Sequence, residues 1–326
     1  RDWLLKISEF TMMLDESSLI TNETAKRSKF ILKMKPESVI LLSGTPTAGK
    51  YERLWSQVQL LGWNITKKAF YNSYVVTEWV ENGDGFKREV ITGYKHTEHL
   101  KKKLASYGCI FMKTSEVLEL PEQTEQKIFL KITNEYKFFI KHNYLELDTR
   151  NLVRFKDDSD FEGEDVTPRV ELIGDNSLTK TLYCRQLCGQ WHKEKLEAFR
   201  DLLESTEDRL IVFYNFNEEL TRLRKICESL NREVSFVNGS GRSMYAYECV
   251  DNSVTFVQYQ AGAMGGNYQK ANKIVYFTLP LGKGSCDLWE QSKKRIHRIG
   301  QNRPCFYYYL PVSYTHLRAH ETELHL

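Results

Sequence analysis

Four short strings in this 326-residue chain carry residue types suited to phosphate chemistry. Asp15-Glu16-Ser17-Ser18 sets two adjacent acids behind an apolar run. An acid pair at the C-terminal end of a strand is where an α/β ATPase holds Mg²⁺ and positions water. Taken alone, the string reads first as an acidic helix cap, a position that Asp and Ser favour. Gly44-Thr45-Pro46-Thr47-Ala48-Gly49-Lys50 reads G-x-x-x-x-G-K, a phosphate-cradling loop that lacks its last letter. Tyr51 stands where the motif wants a hydroxyl for Mg²⁺. "YQAGAMGGNYQKA" (259–271) supplies Gly262, Gly265 and Gly266, which let backbone approach a ligand closely, although a ligand-free turn would use the same residues. In "QSKKRIHRIGQ" (291–301), Gln291, Arg295 and Arg298 fall at i, i+4 and i+7, which predicts one helical face. Two guanidinium groups there suit a triphosphate, since both stay charged and bind bidentately; a solvated basic helix is the plainer alternative. Cys184, Cys188 and His192 have ligand-like spacing, but a structural zinc wants four ligands, and Gly189 interrupts the helix.

These residues need a scaffold, and the totals bound it. The length suffices for two ordinary domains, and 41% hydrophobic with 27% charged residues fits a folded soluble protein. No apolar run is long enough to span a membrane. The opening "RDWLLKISEF" carries Asp2 and Glu9 and lacks a small-residue cleavage site, so it is not read as a signal peptide. No initiator Met is present, and the chain reads as a fragment. A net charge of +3 neither supports nor excludes a nucleic-acid partner, for which a local basic groove suffices. Seven dispersed cysteines fit reduced thiols in a cytoplasmic protein.

"FTMMLDE" (10–16) and "SVILLSG" (38–44) read as buried strands. "ETAKRSKFILKM" (23–34) and "YERLWSQVQLLG" (51–62) read as helices, the second stopping at Gly62. Strand, helix, strand, helix implies a parallel sheet. Residues 77–95 read as a loop or hairpin around "ENGDG", followed by a helix that stops at Gly108. A Lys- and aromatic-rich helical segment covers 133–147, and the acidic stretch 156–168 reads as an exposed loop. From 191 on, "WHKEKLEAFRDLLES", "RLIVFYNF", "NEELTRLRKICESL", "EVSFVNG", "SVTFVQY", "NKIVYFTLP", "DLWEQSKKRIH" and "CFYYYLP" alternate helix and strand as a second α/β unit. Trp55, Trp63 and the Tyr-rich "FYYYL" are expected in the core rather than as base-stacking platforms. Residues 312–326 are polar, His-rich and aperiodic, and read as a non-native tail.

In this order, the pieces resemble the helicase-like superfamily-two ATPases, and within them the Swi/Snf-related double-stranded DNA translocases. "RIHRIGQ" is the most specific string, then "LSGTP" followed by "LW"; the likeness covers roughly residues 8–311. "GYKHTEHLKKKLASYGCIFMKTSEVLELPE" and "LYCRQLCGQW" resemble the phage and mobile-element branch. The resemblance implies two RecA-like parallel-sheet lobes, the first incomplete, joined by a largely helical connector. It places the first lobe at 1–120, the connector at 121–190, the second lobe at 191–311 and the tail at 312–326. It also makes "LSGTP" a coupling motif and Gly49-Lys50 a chance match, since the true phosphate loop precedes the acid pair and is expected upstream of residue 1. A chain without that loop is expected not to hydrolyse ATP.

The roles that the resemblance implies are these. Asp15 holds Mg²⁺ through water, and Glu16 orients or deprotonates the attacking water. Ser43, Gly44 and Thr45 couple nucleotide state to DNA contact. Gly262, Gly265 and Asn267 belong to a motif touching nucleotide and DNA, although "GAMGGNYQ" departs from the usual Gly-Leu before Asn. Gln291 bridges the cleft between lobes, and Arg295 and Arg298 act as arginine fingers. The cofactors implied are ATP and Mg²⁺, and the partner is duplex DNA held mainly by its phosphates, in a cytoplasmic, DNA-associated protein. A rival reading is a DNA-binding or scaffold module that kept the fold without turnover. A nuclease-type metal site on Asp15 and Glu16 lacks further acids at suitable positions.

Overall fold

The computed structural model describes residues 3–47, 50–81, 87–112, 114–148, 169–262, 266–280 and 285–312. Gly49, Gly265, the centre of "ENGDG", the whole acidic stretch and nearly all of the expected tail lie outside the described residues. The chain divides into two compact units, one over Arg1–Val117 and the other starting at Leu118.

In the first unit, β1 (Thr11–Leu14) pairs in parallel with β2 (Ser38–Leu41), Thr11 opposite Ser38 and Leu14 opposite Leu41. Helix α1 (Lys26–Lys33) is the crossover between them. Both strands form where expected but are not buried. Met12 is in the core, whereas Met13 is 62% and Ile40 42% exposed. The physical reason is that two strands cannot cover both of their own faces. A 3-10 turn over Tyr51–Leu54 leads into α2 (Trp55–Leu60), which stops at Gly62 with φ of 85°. Helix α3 (Lys67–Tyr74), the antiparallel hairpin β3 (Val75–Glu81) and β4 (Lys87–Tyr94), α4 (Thr97–Ser106) and α5 (Thr114–Val117) follow. Trp63 stacks on Tyr107 and meets Phe70 and Tyr74 edge-on in a core with Leu54, Val58, Leu100 and Leu104.

The second unit opens with β5 (Gln123–Lys127), α6 (Asn134–His142), β6 (Tyr144–Asp148), β7 (Arg169–Ile173) and α7 (Ser177–Leu187). The segment read as helical over 133–147 therefore turns at Asn143, φ 57°, and its end pairs as a strand with β7. Next come α8 (Lys193–Glu204), β8 (Leu210–Tyr214), α9 (Asn217–Ser229), β9 (Val234–Asn238) and β10 (Gly241–Ser243). Helix α10 (Tyr245–Cys249), β11 (Val254–Gln258), α11 (Tyr259–Gly262), β12 (Lys273–Tyr276), α12 (Ser285–Lys293) and β13 (Cys305–Tyr309) complete it. The sheet order is β10-β9-β11-β8-β12-β13-β5, parallel except for β10. The near-continuous Val, Ile, Phe and Tyr content of β8, β11 and β12 suits strands covered on both faces. Strand β5 carries no such run. It is exposed throughout, at the edge, and pairs with β13 through its backbone.

Candidate functional site

The acid pair sits at the C-terminal end of β1. Asp15 is exposed, and its Oδ1 accepts the Glu16 N–H at 2.9 Å. Glu16 is half-buried with φ of 53°, the left-handed region that a non-glycine residue enters at a cost. The turn is held from several sides. Ser17 N donates to Leu42 O at 2.8 Å, and Leu42 N to Leu14 O at 2.9 Å, which carries the β1–β2 ladder past both strand ends. Ser43 and Thr45 are half-buried and Gly44 is exposed, with Thr45 N donating to Ser43 Oγ at 3.2 Å. The parallel ladder thus brings the acid turn and the 43–47 loop side by side at one strand edge. Lys50 precedes a 3-10 turn rather than the N-terminus of a long helix, which argues against a phosphate cradle there.

Among the described residues, no group of three or more His, Cys, Asp or Glu side chains could hold a metal ion. Mg²⁺ rarely needs such a cage, since it keeps several waters and takes one or two carboxylates plus substrate phosphates. Asp15, exposed and with its Oδ1 alone engaged, by its neighbour's N–H, among the described residues, fits that role.

In the second unit, α12 ends at Lys293, so Arg295 and Arg298 do not share a helical face with Gln291. The helix gives way because the turn after it is pulled into the core. Ile296 is fully buried, and Arg295 O accepts the Tyr268 N–H at 3.0 Å. Gln301, 5% exposed, donates through Nε2 to Ala271 O at 2.9 Å and Gln269 O at 3.1 Å, and accepts Arg303 N–H at 3.1 Å. His297 Nε2 lies 2.9 Å from Pro121 O, and Gly300 turns with φ of 94°. Arg298 is exposed and, among the described residues, makes no side-chain hydrogen bond or ion pair; Arg295 is half-buried with Nη1 3.5 Å from Gly266 O. Gln291 is buried on α12.

The glycine loop meets this turn. Gly262 closes α11, where a Cβ would come within 2.3 Å of Val257 Cγ1. At Gly266 a Cβ would lie 2.5 Å from Cζ and Oη of Tyr268. Both glycines make room for the buried Tyr268 ring, and exposed Asn267 lies between Gly266 and that ring. Sequence reasoning missed Gln57, His297, Tyr268 and Gln301. Only tertiary contacts show that Gln57, His297 and Gln301 bond backbone carbonyls and that the Tyr268 ring is buried.

A cluster of buried charge near the C-terminal ends of β8 and β12 is structural. Glu219 Oε2 accepts from Asn215 N at 2.8 Å, Phe216 N at 3.1 Å and Thr278 Oγ1 at 2.9 Å. Burial raises its carboxyl above the ordinary range, and burial brings the Lys195 ammonium down to about 8. Lys195 Nζ donates to Cys188 O at 3.0 Å and lies 5.0 Å from the centre of the Phe277 ring. The Cys184, Cys188 and His192 group does not form a metal site. His192 caps α8 through Nδ1, which accepts Lys195 N–H at 3.2 Å, and its Nε2 lies 2.9 Å from Lys131 O. Burial pushes the Cys188 thiol up to about 12.

Among the described residues, no helix is long and apolar enough to cross a membrane. The DNA repair and recombination protein RAD26 of Saccharomyces cerevisiae is 26% identical over 335 aligned positions, covering 95% of this chain and 30% of that protein. The uncharacterized ATP-dependent helicase MG018 of Mycoplasma genitalium is 22% identical over 335 positions, covering 92% of this chain and 28% of its own length. The chain thus spans about 30% of the length of such relatives. A solved Sulfolobus solfataricus SWI2/SNF2 ATPase core in complex with dsDNA aligns over 96% of this chain and 66% of its own, at 20% identity. Its TM-score of 0.38 is too low to carry a comparison of architecture. The profile of the SNF2-related domain matches residues 2–231, which takes in the acid turn and the 43–47 loop, and the chain belongs to that family.

Proposed function

We propose that the protein carrying this chain is a DNA-dependent ATPase that couples hydrolysis to movement along duplex DNA. The observation that supports this most is the acid turn Asp15–Glu16 at the end of a parallel strand, joined by the β1–β2 ladder to the 43–47 loop, within the SNF2-related match. Mg²⁺ supplies charge neutralisation to the phosphates when bound, and Asp15 is the residue to hold it, through water.

Glu16 orients the attacking water and takes its proton. Ser43, Gly44 and Thr45 report the state of that turn. Arg295 and Arg298 place fixed positive charge on the transferred phosphoryl group, for which a planar guanidinium fork is suited. Gly262, Gly265 and Asn267 belong to a motif that serves nucleotide and DNA, and Gln291 is assigned with them to ATP binding and coupling. DNA is held mainly through phosphates, so binding is sequence-independent and weakens steeply with salt. In this reading 1–120 is part of one ATPase lobe, 191–311 a second lobe whose sheet takes β5 at its edge, and the rest of 121–190 a connector.

The test is ATP turnover by the purified protein with duplex DNA, with single-stranded DNA and with none, together with displacement of a third strand from a triplex. Turnover stimulated by duplex, with displacement that requires ATP, is the expected result. Duplex binding without turnover would assign the protein to the scaffold class instead.

A further inference from the structure

Gln57 lies on α2, outside every string that carries the ATPase reading, and its side chain is 4% exposed. Gln57 Oε1 accepts from Ser17 Oγ at 3.0 Å, and Ser17 is itself 2% exposed. Gln57 Nε2 donates to Pro46 O at 2.8 Å. One planar amide therefore joins the residue after the acid pair to the far side of the 43–47 loop. Its neighbour Ser56 donates through Oγ to Ile20 O at 2.8 Å, at the other end of the turn that follows the acids.

We infer that Gln57 is a positioning residue that transmits movement of the Asp15–Glu16 turn to the Ser43–Thr47 loop. This rests on the ATPase reading above. An amide offers an acceptor at one end and donors at the other in a fixed plane. With both ends engaged away from water, a shift of Ser17 must either carry Pro46 with it or strand a desolvated polar group. Two further features suit the turn and the loop to movement. Glu16 holds a left-handed backbone that stores conformational energy in a non-glycine residue. Thr45 Oγ1 is buried without a hydrogen-bond partner among the described residues, so a shift of the loop breaks no side-chain bond there.

The experiment uses the protein carrying this chain and compares the parent with Gln57→Leu, which removes both bonds, and Ser17→Ala, which removes one. Steady-state turnover is measured with and without duplex DNA. Hydrogen exchange over 43–47 is followed with and without a non-hydrolysable ATP analogue. In Gln57→Leu the ratio of DNA-stimulated to DNA-free kcat should fall about tenfold, within the usual range for coupling between sites, with KM for ATP changed less than about twofold. The analogue-induced change in exchange at 43–47, present in the parent, should vanish. Ser17→Ala should shift the ratio in the same direction by less. An unchanged ratio with an unchanged exchange response in Gln57→Leu overturns the inference. If that variant does not fold, an unchanged ratio in Ser17→Ala overturns it. A parent without DNA-stimulated turnover overturns the ATPase reading and the inference together, whereas retained stimulation in both variants overturns the inference alone.

Discussion

The acid-bearing turn of the first unit and the arginine-bearing turn of the second are held by opposite means. Asp15 and Glu16 stand on a two-stranded sheet with Met13 and Ile40 exposed, and Gln57, Ser56 and the strand-end ladder fix the turn through a few directional bonds. Arg295 and Arg298 stand on a seven-stranded sheet whose core includes Phe213, Tyr276, Tyr307 and Tyr309, with Ile296 driven into it. Apolar burial is strong and undirected, so it makes a rigid platform. A handful of buried hydrogen bonds is weaker in sum, yet each has a geometry that a neighbouring charge can disturb. Directional bonds suit a turn that moves, and apolar burial suits one that stays put.

The comparison breaks most readily at the two groups proposed to act on phosphate. Arg298→Lys should lower turnover about 10³-fold, because a point charge cannot reproduce the planar fork. Its stability should stay within about 0.5 kcal/mol of the parent, since the side chain is exposed and unpaired among the described residues. A denaturant melt beside the kinetic assay checks both halves. Glu16→Gln should slow hydrolysis about 10²- to 10⁴-fold while ATP still binds, as measured by equilibrium titration. Equal turnover in variant and parent would remove Glu16 from the base role.

Smaller effects sharpen the contrast between the platforms. Ile296→Ala should cost about 2–5 kcal/mol of unfolding free energy by leaving a hole under the arginine turn. Gly266→Ala should cost about 1–3 kcal/mol, since the new methyl overlaps the Tyr268 ring. Calorimetry of each variant gives the answer, and a stable Gly266→Ala protein would mean that Tyr268 readily moves aside. The slightest effect is a pH dependence. Burial, partly opposed by the bond to Lys131 O, holds the His192 pKa below its usual 6.5. The folded state then binds fewer protons than the unfolded one below pH 6.5, so this contribution is full above that pH and fades as pH falls toward the lowered value. His192→Asn keeps a capping acceptor on α8, and its stability should decline less than the parent's between pH 7 and pH 5 in denaturant titrations.

The apolar runs of β8, β11 and β12, the stops at Gly62 and Gly108, and the acid pair behind β1 were all legible from residue order, because periodicity and glycine conformation are local properties. Strand β5 was not legible. Its sequence, Gln123–Lys127, has no β signature, and it is a strand because β13 offers it an open edge. The end of α12 was also hidden. Helical spacing put Arg295 and Arg298 on one face, but burying Ile296 and knotting Gln301 to three backbone carbonyls outweighs continuing the helix past Lys293. Residue types and their order thus determined the chemistry available to this chain and the family it resembles, since charge, nucleophilicity and phosphate affinity belong to the side chains themselves. Which polar residues act and which only hold backbone was decided by tertiary structure. Gln57 and Gln301 are chemically alike to Gln291 in sequence, and their roles come from carbonyls and hydroxyls brought near by distant parts of the chain.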